Sequence, residues 1–258
     1  MAALNDDQLF DLAPAAFATQ SDPNRTSQRY GFMSTIDALD ELEQRGWLPV
    51  DASQDNPRHR DRNYVAHTVT LTHEDDIDER EGSTPRIILY NSHNGRTKLK
   101  LYGGLYRFVC ANGLIVGDER ARAEFKHDRS AADIIAEYTE QFANNFSVLN
   151  ETIDRWSAIE LSAQQANDFA AQARALRFGA SANNFALEQL LAARREEDDK
   201  RDLWSVYNIL QENAVKGGLR GENANNRKTT SRELKGVGPG IAFNDNLWRL
   251  AESFASAA

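Results

Sequence analysis

The chain has 258 residues, of which 41% are hydrophobic and 27% are charged, and its formal net charge is −9 at pH 7. This composition excludes general disorder, and the length suffices for a sizeable core. No run of about 18 apolar residues is present, which excludes a membrane-spanning helix, and the acidic start lacks the basic segment of a signal peptide. The single cysteine, Cys110, excludes an internal disulfide, so we expect a cytoplasmic protein.

Three elements are predicted in the first part of the chain. Residues 1–29 form an acidic N-terminal arm, whose short apolar cluster docks either on the body of the protein or on another subunit. Ser34 followed by Asp37 is typical of a helix N-terminus, and Gly46 ends this short amphipathic helix. After a polar loop, residues 63–73 alternate with a period of two and predict a long strand.

The densest concentration of strand and turn signals lies in residues 85–118. Residues 86–91 are rich in β-branched and aromatic side chains, Asn94-Gly95 is typical of a two-residue type I′ hairpin turn, and residues 97–102 alternate. A second apolar run leads to the turn dipeptide Asn112-Gly113, and a third short run follows. These signals predict an antiparallel β-meander.

The second half of the chain has helical periodicity. Apolar residues recur every three or four positions from 131 to 161, which predicts one long amphipathic helix. Further helices are predicted at 162–179, 181–198, 202–215 and 244–256. We expect the α+β class, an antiparallel β-meander followed by a long amphipathic helix and a helical C-terminal half. The predicted organisation is an N-terminal arm at 1–29, a single α+β domain at 30–215, a mobile basic loop rich in Gly and Asn at 216–240, and a C-terminal helix at 241–258.

Basic residues are concentrated in two stretches of this acidic chain. Residues 85–126 hold eight basic and three acidic side chains, and residues 215–240 hold six and two. Because side chains alternate along a strand, Arg96, Lys98 and Lys100 are predicted to share one face and form a basic stripe. A charge run is most often a solvated face without a partner, yet such segregation is also what a binding surface for a polyanion needs.

No catalytic, metal or cofactor site is predicted. The histidines of the strands and of the turn region do not have the spacing of a metal site: His67, His73, His93 and His127. Ser92 and His93 are adjacent, so on one strand they point to opposite faces and cannot form a nucleophile–base pair. The glycines match neither dinucleotide-binding nor phosphate-loop patterns, so no nucleotide cofactor is expected.

A resemblance rests on the order NSHNG, a strand, RFVCANGL, a Gly-Asp pair and a basic residue before His127. This order resembles the signature of an uncharacterised family of phage- and plasmid-borne proteins, known as a domain of unknown function. The fragment LWSVYNILQE is similar to that family's Trp-x-x-Tyr-Asn element, so the resemblance covers residues 30–215 and implies a mobile-element origin. Asn94 departs from the aspartate usual in the family. The motif residues are Ser92, His93, Asn94, Gly95, Asn112 and Gly113.

The leading functional hypothesis is a protein that binds single-stranded DNA without base specificity. The order of a meander, basic residues and a long helix resembles, in topology alone, the core of single-strand annealing proteins that act in recombination. Aromatic residues such as Tyr90 and Tyr102 are interleaved with the cations, which suits base stacking. The predicted binding residues are Arg96, Lys98, Lys100, Arg107, Arg120 and Arg122, assisted by Arg227 and Lys228.

An alternative hypothesis and an assembly prediction complete the interpretation. The negative net charge and the arm suit a non-enzymatic module that binds a host protein. The predicted strand at 62–73 is long and lacks proline, so as an edge strand it needs a cover. The arm provides this cover in a monomer, and a neighbouring subunit provides it in a ring or filament. Because annealing needs a continuous track, we expect a homo-oligomer larger than a dimer.

Overall fold

The computed structural model describes residues 2–27, 30–58, 61–78, 83–107, 112–115, 122–124, 131–179, 183–223, 225–235 and 237–257. The chain forms two compact units, residues 1–146 and 147–258. The sequence predicts a single domain at 30–215, with no boundary near residue 146. The reason is that helical periodicity is continuous from residue 131 to residue 161 and so crosses the point at which the two units divide. No helix among the described residues is both long enough and apolar enough to cross a membrane.

The first unit is built on an antiparallel sheet. Helix α1 (Asp6–Leu12), a short 3-10 helix (Pro14–Phe17) and helix α2 (Thr35–Glu43) precede the sheet. Its strands are β1 (Trp47–Gln54), β2 (His67–His73), β3 (Ser83–Asn91), β4 (Lys100–Arg107), β5 (Asn112–Ile115) and β6 (Arg122–Glu124). They are ordered β1-β2-β3-β4-β5, and β6 also pairs with β4. Helix α3 (Ala131–Ser157) follows. The predicted antiparallel meander and the α+β class are confirmed.

One face of this sheet forms the core of the first unit. His67, Val69 and Leu71 alternate along β2 and are each 0% exposed, as the period of two predicts. Trp47 of β1 pairs with His73 across the sheet, and its ring centroid lies 5.6 Å from that of Phe142 in α3. Trp47 therefore joins the buried face of the sheet to the first part of α3.

Strand β1 corrects the prediction that residues 62–73 form an exposed edge. It pairs with β2 from Trp47 opposite His73 to Gln54 opposite His67, so β2 lies inside the sheet. The sequence pattern concealed β1 because proline argues against a strand and because Asp51 and Ser53 are polar. Both side chains are exposed, on the side of the sheet away from the core.

The edge that β1 presents is covered by the same chain. Pro49 lies in the middle of β1, and the register shifts directly after it. The backbone N–H of Leu4, in the arm, donates to the Pro49 carbonyl at 2.7 Å, and that of Ala15 donates to Oε1 of Gln54 at 2.9 Å. A proline, a bulge and a docked segment all hinder pairing with another chain. The structural argument for an oligomer therefore no longer applies.

The second unit is mainly helical. After α3 come α4 (Ala163–Phe178), β7 (Asn183–Phe185), α5 (Leu187–Leu190), α6 (Leu203–Lys216), β8 (Arg220–Asn223), β9 (Lys228–Thr230) and α7 (Val237–Ala257). The predicted capping box of Ser162 and Gln165 is present at the start of α4. Trp156 at the end of α3 lies in an aromatic core, with its ring centroid 4.5 Å from that of Trp248 and 5.7 Å from that of Tyr207.

Two predicted segments of the second unit differ from the structure. The helix expected at 181–198 is replaced by β7 and the single-turn helix α5, because Phe185 pairs with the distant Gly221 of β8. The loop expected at 216–240 contains the hairpin β8–β9, whose turn places Asn226 at φ 55°, and the start of α7. Pro239 is tolerated there because the first turn of a helix needs no backbone donor.

Candidate functional site

The motif residues Ser92 to Gly95 lie in the loop that joins β3 to β4. Tyr90 pairs with Lys100, so this loop spans residues 92–99 and is not the predicted two-residue turn. Oδ1 of Asn94 accepts from the Ser92 hydroxyl at 3.1 Å and from the Arg96 backbone N–H at 3.2 Å. Gly95 has φ +73°, but Asn94 does not have a positive φ, because Asn226 is the single non-glycine residue with positive φ in the described part of the chain. A type I′ turn needs positive φ at both centres, so that prediction is wrong.

A buried polar centre lies at the base of this loop. The Thr35 hydroxyl is 2.9 Å from Nε2 of His67 and 3.2 Å from Nε2 of His93, and it accepts from Nδ2 of Asn91 at 3.0 Å. The imidazole rings of His67 and His93 are 5.2 Å apart. None of these four residues is more than 1% exposed. We call this set, Thr35, His67, Asn91 and His93, the polar centre.

The hydrogen-bond partners determine where the protons of the polar centre lie. Nδ1 of His67 is 2.9 Å from the Val65 carbonyl, which only accepts, so Nδ1 carries a proton. Burial lowers the pKa of His67 to about 4, although the bond to Val65 acts in the opposite direction. The ring is therefore neutral near neutral pH, and its Nε2 accepts the single proton of Thr35. The Thr35 oxygen is then left to accept from Asn91 and from Nε2–H of His93.

This protonation predicts a loss of stability in acid. The pKa of His67 falls from 6.5 to about 4 on folding, so the unfolded chain binds the extra proton between these values. The contribution is complete above pH 6.5 and is lost as the pH falls to about 4. From near pH 7 to about pH 5 the loss is roughly 2 kcal/mol. We expect His67→Gln, which does not titrate, to show a smaller fall in unfolding free energy over this range. An equal fall in both proteins would contradict the assignment.

The polar centre and two neighbouring segments hold the base of the loop. The His93 backbone N–H donates to the Tyr64 carbonyl at 3.2 Å, and the His93 carbonyl accepts from the Asp22 backbone N–H at 2.8 Å. A Cβ added to Gly95 would lie 3.3 Å from Cγ2 of Thr26. The motif residues are therefore positioning residues, whose side chains and backbone fix the loop between the arm and the segment before β2.

The loop carries the predicted cations, but not in the predicted arrangement. Arg96 and Lys98 are exposed in the loop, and only Lys100 lies on a strand, where it is half-buried. The basic stripe on one strand face is therefore wrong, because the strand begins at Lys100. Lys100 pairs with Tyr90, whose half-buried ring lies on the same side of the sheet as Thr68. These residues, Tyr90, Arg96, Lys98 and Lys100, form a basic rim at one end of the sheet.

The other predicted site residues lie on other elements, farther along β4, or outside the described residues. Asn112 and Gly113 pair with Arg107 and Tyr106 as the first residues of β5, so the predicted turn at this dipeptide is also wrong. The backbones of Arg107 and Arg122 lie in β4 and β6, and their side chains lie outside the described part of the structure. Cys110, Arg120 and His127 lie outside the described residues. Arg227 and Lys228 are exposed on the β8–β9 hairpin of the second unit.

Sequence reasoning missed the polar centre as an assembly. His67 and His93 were considered as metal ligands and rejected on spacing, and the structure pairs them through Thr35 instead. Among the described residues, no group of three or more histidine, cysteine or acidic side chains is arranged to hold a metal ion. The sequence near Thr35 and Asn91 does not indicate a buried polar contact. Thr35 is the first residue of a helix and Asn91 is the last residue of a strand, and polar residues are common at both positions.

Comparison with known proteins identifies relatives of this chain. A family described as a domain of unknown function, DUF932, matches residues 24–237. The UPF0380 protein YfjQ of Escherichia coli (strain K12) is 32% identical over 251 residues, which cover 97% of this chain and 91% of that protein. The UPF0380 protein YafZ of the same strain is 31% identical over the same coverage. No solved structure matches the chain.

Proposed function

The chain belongs to the DUF932 family, and we propose that it is a mobile-element protein that binds single-stranded DNA through the basic rim of its first unit. The single observation that carries the proposal is the loop 92–99, which exposes Arg96 and Lys98 and is anchored at its base by the polar centre. Anchoring matters because a preordered loop loses little conformational entropy when its cations meet phosphates.

The strands beside the loop supply a surface for bases. Tyr90 lies directly across from Lys100, and the neighbouring Thr68 and Ser53 continue the same row across β2 and β1. A half-exposed tyrosine beside cations is the combination that binds single strands without sequence preference, because every base has a face that stacks. Burial and the charge of Asp55 raise the pKa of the Tyr90 hydroxyl, so the ring stays uncharged near neutral pH.

The β8–β9 hairpin is a second basic surface, to which the proposal gives an assisting role. Arg227 lies in the turn and is exposed, whereas Lys228 pairs with Glu222 across the hairpin. This carboxylate partly offsets the charge of Lys228, so the hairpin attracts phosphate less strongly than the loop does. Arg107, Arg120 and Arg122 remain predicted binding residues. A role of the whole protein in recombination also remains a prediction.

The double substitution Arg96→Ala and Lys98→Ala tests the proposal. Each phosphate neutralised on a single strand contributes about 0.7 to the slope of log affinity against log salt, so losing two contacts lowers the slope by about 1.4. The plots of log affinity against log salt for the two proteins meet at high salt. At a salt concentration tenfold below that point, the variant is expected to bind about 25-fold more weakly than the unmodified protein. Fluorescence anisotropy of labelled oligothymidylate measures both affinities.

A matched control separates a local contact from the change in net charge. Lys200 and Arg201 are exposed in the second unit, outside the loop and the hairpin, and their double substitution by alanine removes the same charge. This control is expected to bind within about twofold of the unmodified protein, because affinity follows the number of phosphate contacts and neither side chain belongs to the proposed contact surface. Equal losses in both variants would show that binding follows net charge and would overturn the assignment to the rim.

A second candidate, a module that binds a host protein, has one observation in its favour. Phe10 and Leu12 of α1 are 52% and 44% exposed, and exposed apolar side chains on one helix suit a protein partner. The same anisotropy experiment separates the candidates. If oligothymidylate does not bind even at low salt, the protein-binding module becomes the better account, and the exposed apolar side chains of α1 become its contact surface.

A further inference from the structure

A small cavity opens beside the polar centre and shares one residue, Asn94, with the loop 92–99. Its volume is about 200 Å³, which is below the size typical of sites for whole drug-like ligands and suits one ring system. Val65 forms part of its wall, and the carbonyl of Val65 is the group that fixes His67. The polar residues that line it are Asp22, Asn24, Arg25, Asp61, Tyr64 and Asn94.

The charge of the lining decides which part of a nucleotide fits. Two carboxylates face one guanidinium, so the cavity is negative and repels phosphate. Asp22 is 7% exposed; its Oδ1 accepts from the backbone N–H of Asn24 at 2.9 Å, and its Oδ2 lies 3.7 Å from Nε of Arg25. Asp61 is exposed, and one of its oxygens accepts from the Asn63 backbone N–H at 2.9 Å. The remaining lone pairs of Asp61 favour a ligand with N–H donors.

Asn94 adds a donor to these acceptors. Its Oδ1 already accepts two hydrogen bonds within the loop, which assigns the other end of the amide as Nδ2. Among the described residues, no acceptor is in place for this Nδ2 group. The cavity therefore combines carboxylate acceptors with an amide donor, on a wall to which Tyr64 also contributes.

Guanine is the base that complements this combination. Its Watson–Crick edge carries two adjacent N–H donors, which a carboxylate accepts together, followed by a carbonyl oxygen, which an amide N–H satisfies. Adenine, cytosine and thymine do not present two adjacent donors. The position of the cavity relative to the cations also suits a nucleotide. Asn94 and Arg96 are two residues apart, so their Cα atoms lie within about 7 Å of each other. A nucleotide whose phosphate meets Arg96 has its base within reach of the cavity.

We propose that this cavity takes one base of the bound strand and prefers guanine. The inference rests on the proposed function, because the strand must first be held at the basic rim. It adds a base preference at one position to binding that is otherwise independent of sequence. Asp61 accepts from the guanine edge, Asn94 donates to its carbonyl oxygen, and Tyr64 provides the apolar side of the site.

Competition between two oligonucleotides tests the inference. Oligothymidylate with one central dG and the same strand with one central dA displace a labelled oligothymidylate in anisotropy measurements. We expect the dG strand to bind at least about fivefold more tightly, which is the lower end of the discrimination by a bidentate base contact. Asp61→Asn is expected to reduce this preference to less than about twofold, because an amide offers one acceptor in place of two.

The controls separate failure of this inference from failure of the proposed function. The Asp61→Asn side chain retains the oxygen that caps the Asn63 backbone, so the turn is preserved, and Asp11→Asn removes the same charge on the exposed side of α1 and should leave the preference unchanged. If oligothymidylate binds but dG and dA strands are equal, the cavity is not a guanine site and the proposed function stands. A preference that survives in Asp61→Asn also overturns the inference. If no strand binds, both proposals fail.

Discussion

Thr35→Val is expected to lower the free energy of unfolding of the first unit by about 3 kcal/mol. Valine has nearly the same shape as threonine, so the packing around α2 is preserved. The loss comes from Nε2 of His67 and Nε2 of His93, which both lose the Thr35 hydroxyl, whereas Nδ2 of Asn91 keeps the Met33 carbonyl at 3.4 Å. Leaving a buried polar group unpaired costs about 1 to 3 kcal/mol, and the removal of the hydroxyl itself offsets part of that sum.

Urea unfolding, with hydrogen exchange of the backbone amides of β2 and β3, measures this effect in the first unit. Thr70→Val is the matched control, because Thr70 is half-buried on β2 and lies on the face away from the core. We expect the control to change stability by less than about 0.5 kcal/mol. A change in Thr35→Val as small as that of the control would contradict the polar centre as the anchor of the loop.

Glu212→Gln is expected to destabilise the second unit by about 2 to 3 kcal/mol. Glu212 is 3% exposed on α6, and its carboxylate accepts two hydrogen bonds from Arg195, at 2.8 and 2.9 Å, and one from Lys216. Burial raises the pKa of Glu212, but the hydrogen bonds from these two cations outweigh it and the net shift is downward. Glutamine keeps the shape and loses the charge, so Arg195 keeps Asp198 as a charged partner at 2.9 Å and loses the carboxylate that accepts two of its hydrogen bonds.

The lower end of that range allows for solvent at Lys216, which is 41% exposed in its side chain and contributes little. Thermal unfolding of the variant, compared with Glu196→Gln as a control on an exposed carboxylate of the same unit, measures the difference. The control should stay within about 0.5 kcal/mol. If both variants unfold alike, the Arg195–Glu212 pair contributes nothing to the stability of the second unit.

Features set by neighbours in sequence were predictable. Helix starts at Ser34 and Ser162 are confirmed, because a cap side chain bonds to a backbone N–H three residues later and leaves a visible spacing. The buried face of β2 and the long helix α3 are confirmed, because a period of two or of 3.6 identifies the side that packs on a core. Each of these signals is complete within one element.

Features set by distant partners were not predictable. β1 is a strand because β2 lies beside it, and its own proline and polar residues read as a loop. β7 exists because β8 pairs with it, so a helical pattern at 181–198 was overridden. The dipeptide Asn94-Gly95 predicts a tight turn, but the Asn94 side chain bonds to the loop itself and favours a longer connection.

The candidate site shows the same division. Arg96, Lys98 and Lys100 were identified from charge alone, since the clustering of cations is visible in the sequence. Their common anchor was not, because Thr35, His67 and His93 come from three different elements and meet only in the fold. The cavity beside them depends on the docked arm, which contributes Asp22, and no pattern in the sequence indicates that contact.

The salt dependence of single-strand binding tests the central claim most directly. Anisotropy of labelled oligothymidylate is measured across a salt series, for the unmodified protein and for the Arg96→Ala, Lys98→Ala double variant. If Arg96, Lys98 and Lys100 each neutralise a phosphate, together they contribute about −2 to the slope of log affinity against log salt, and the slope of the variant is shallower by about 1.4. Absence of binding at low salt, or one slope shared by both proteins, would contradict binding at the basic rim.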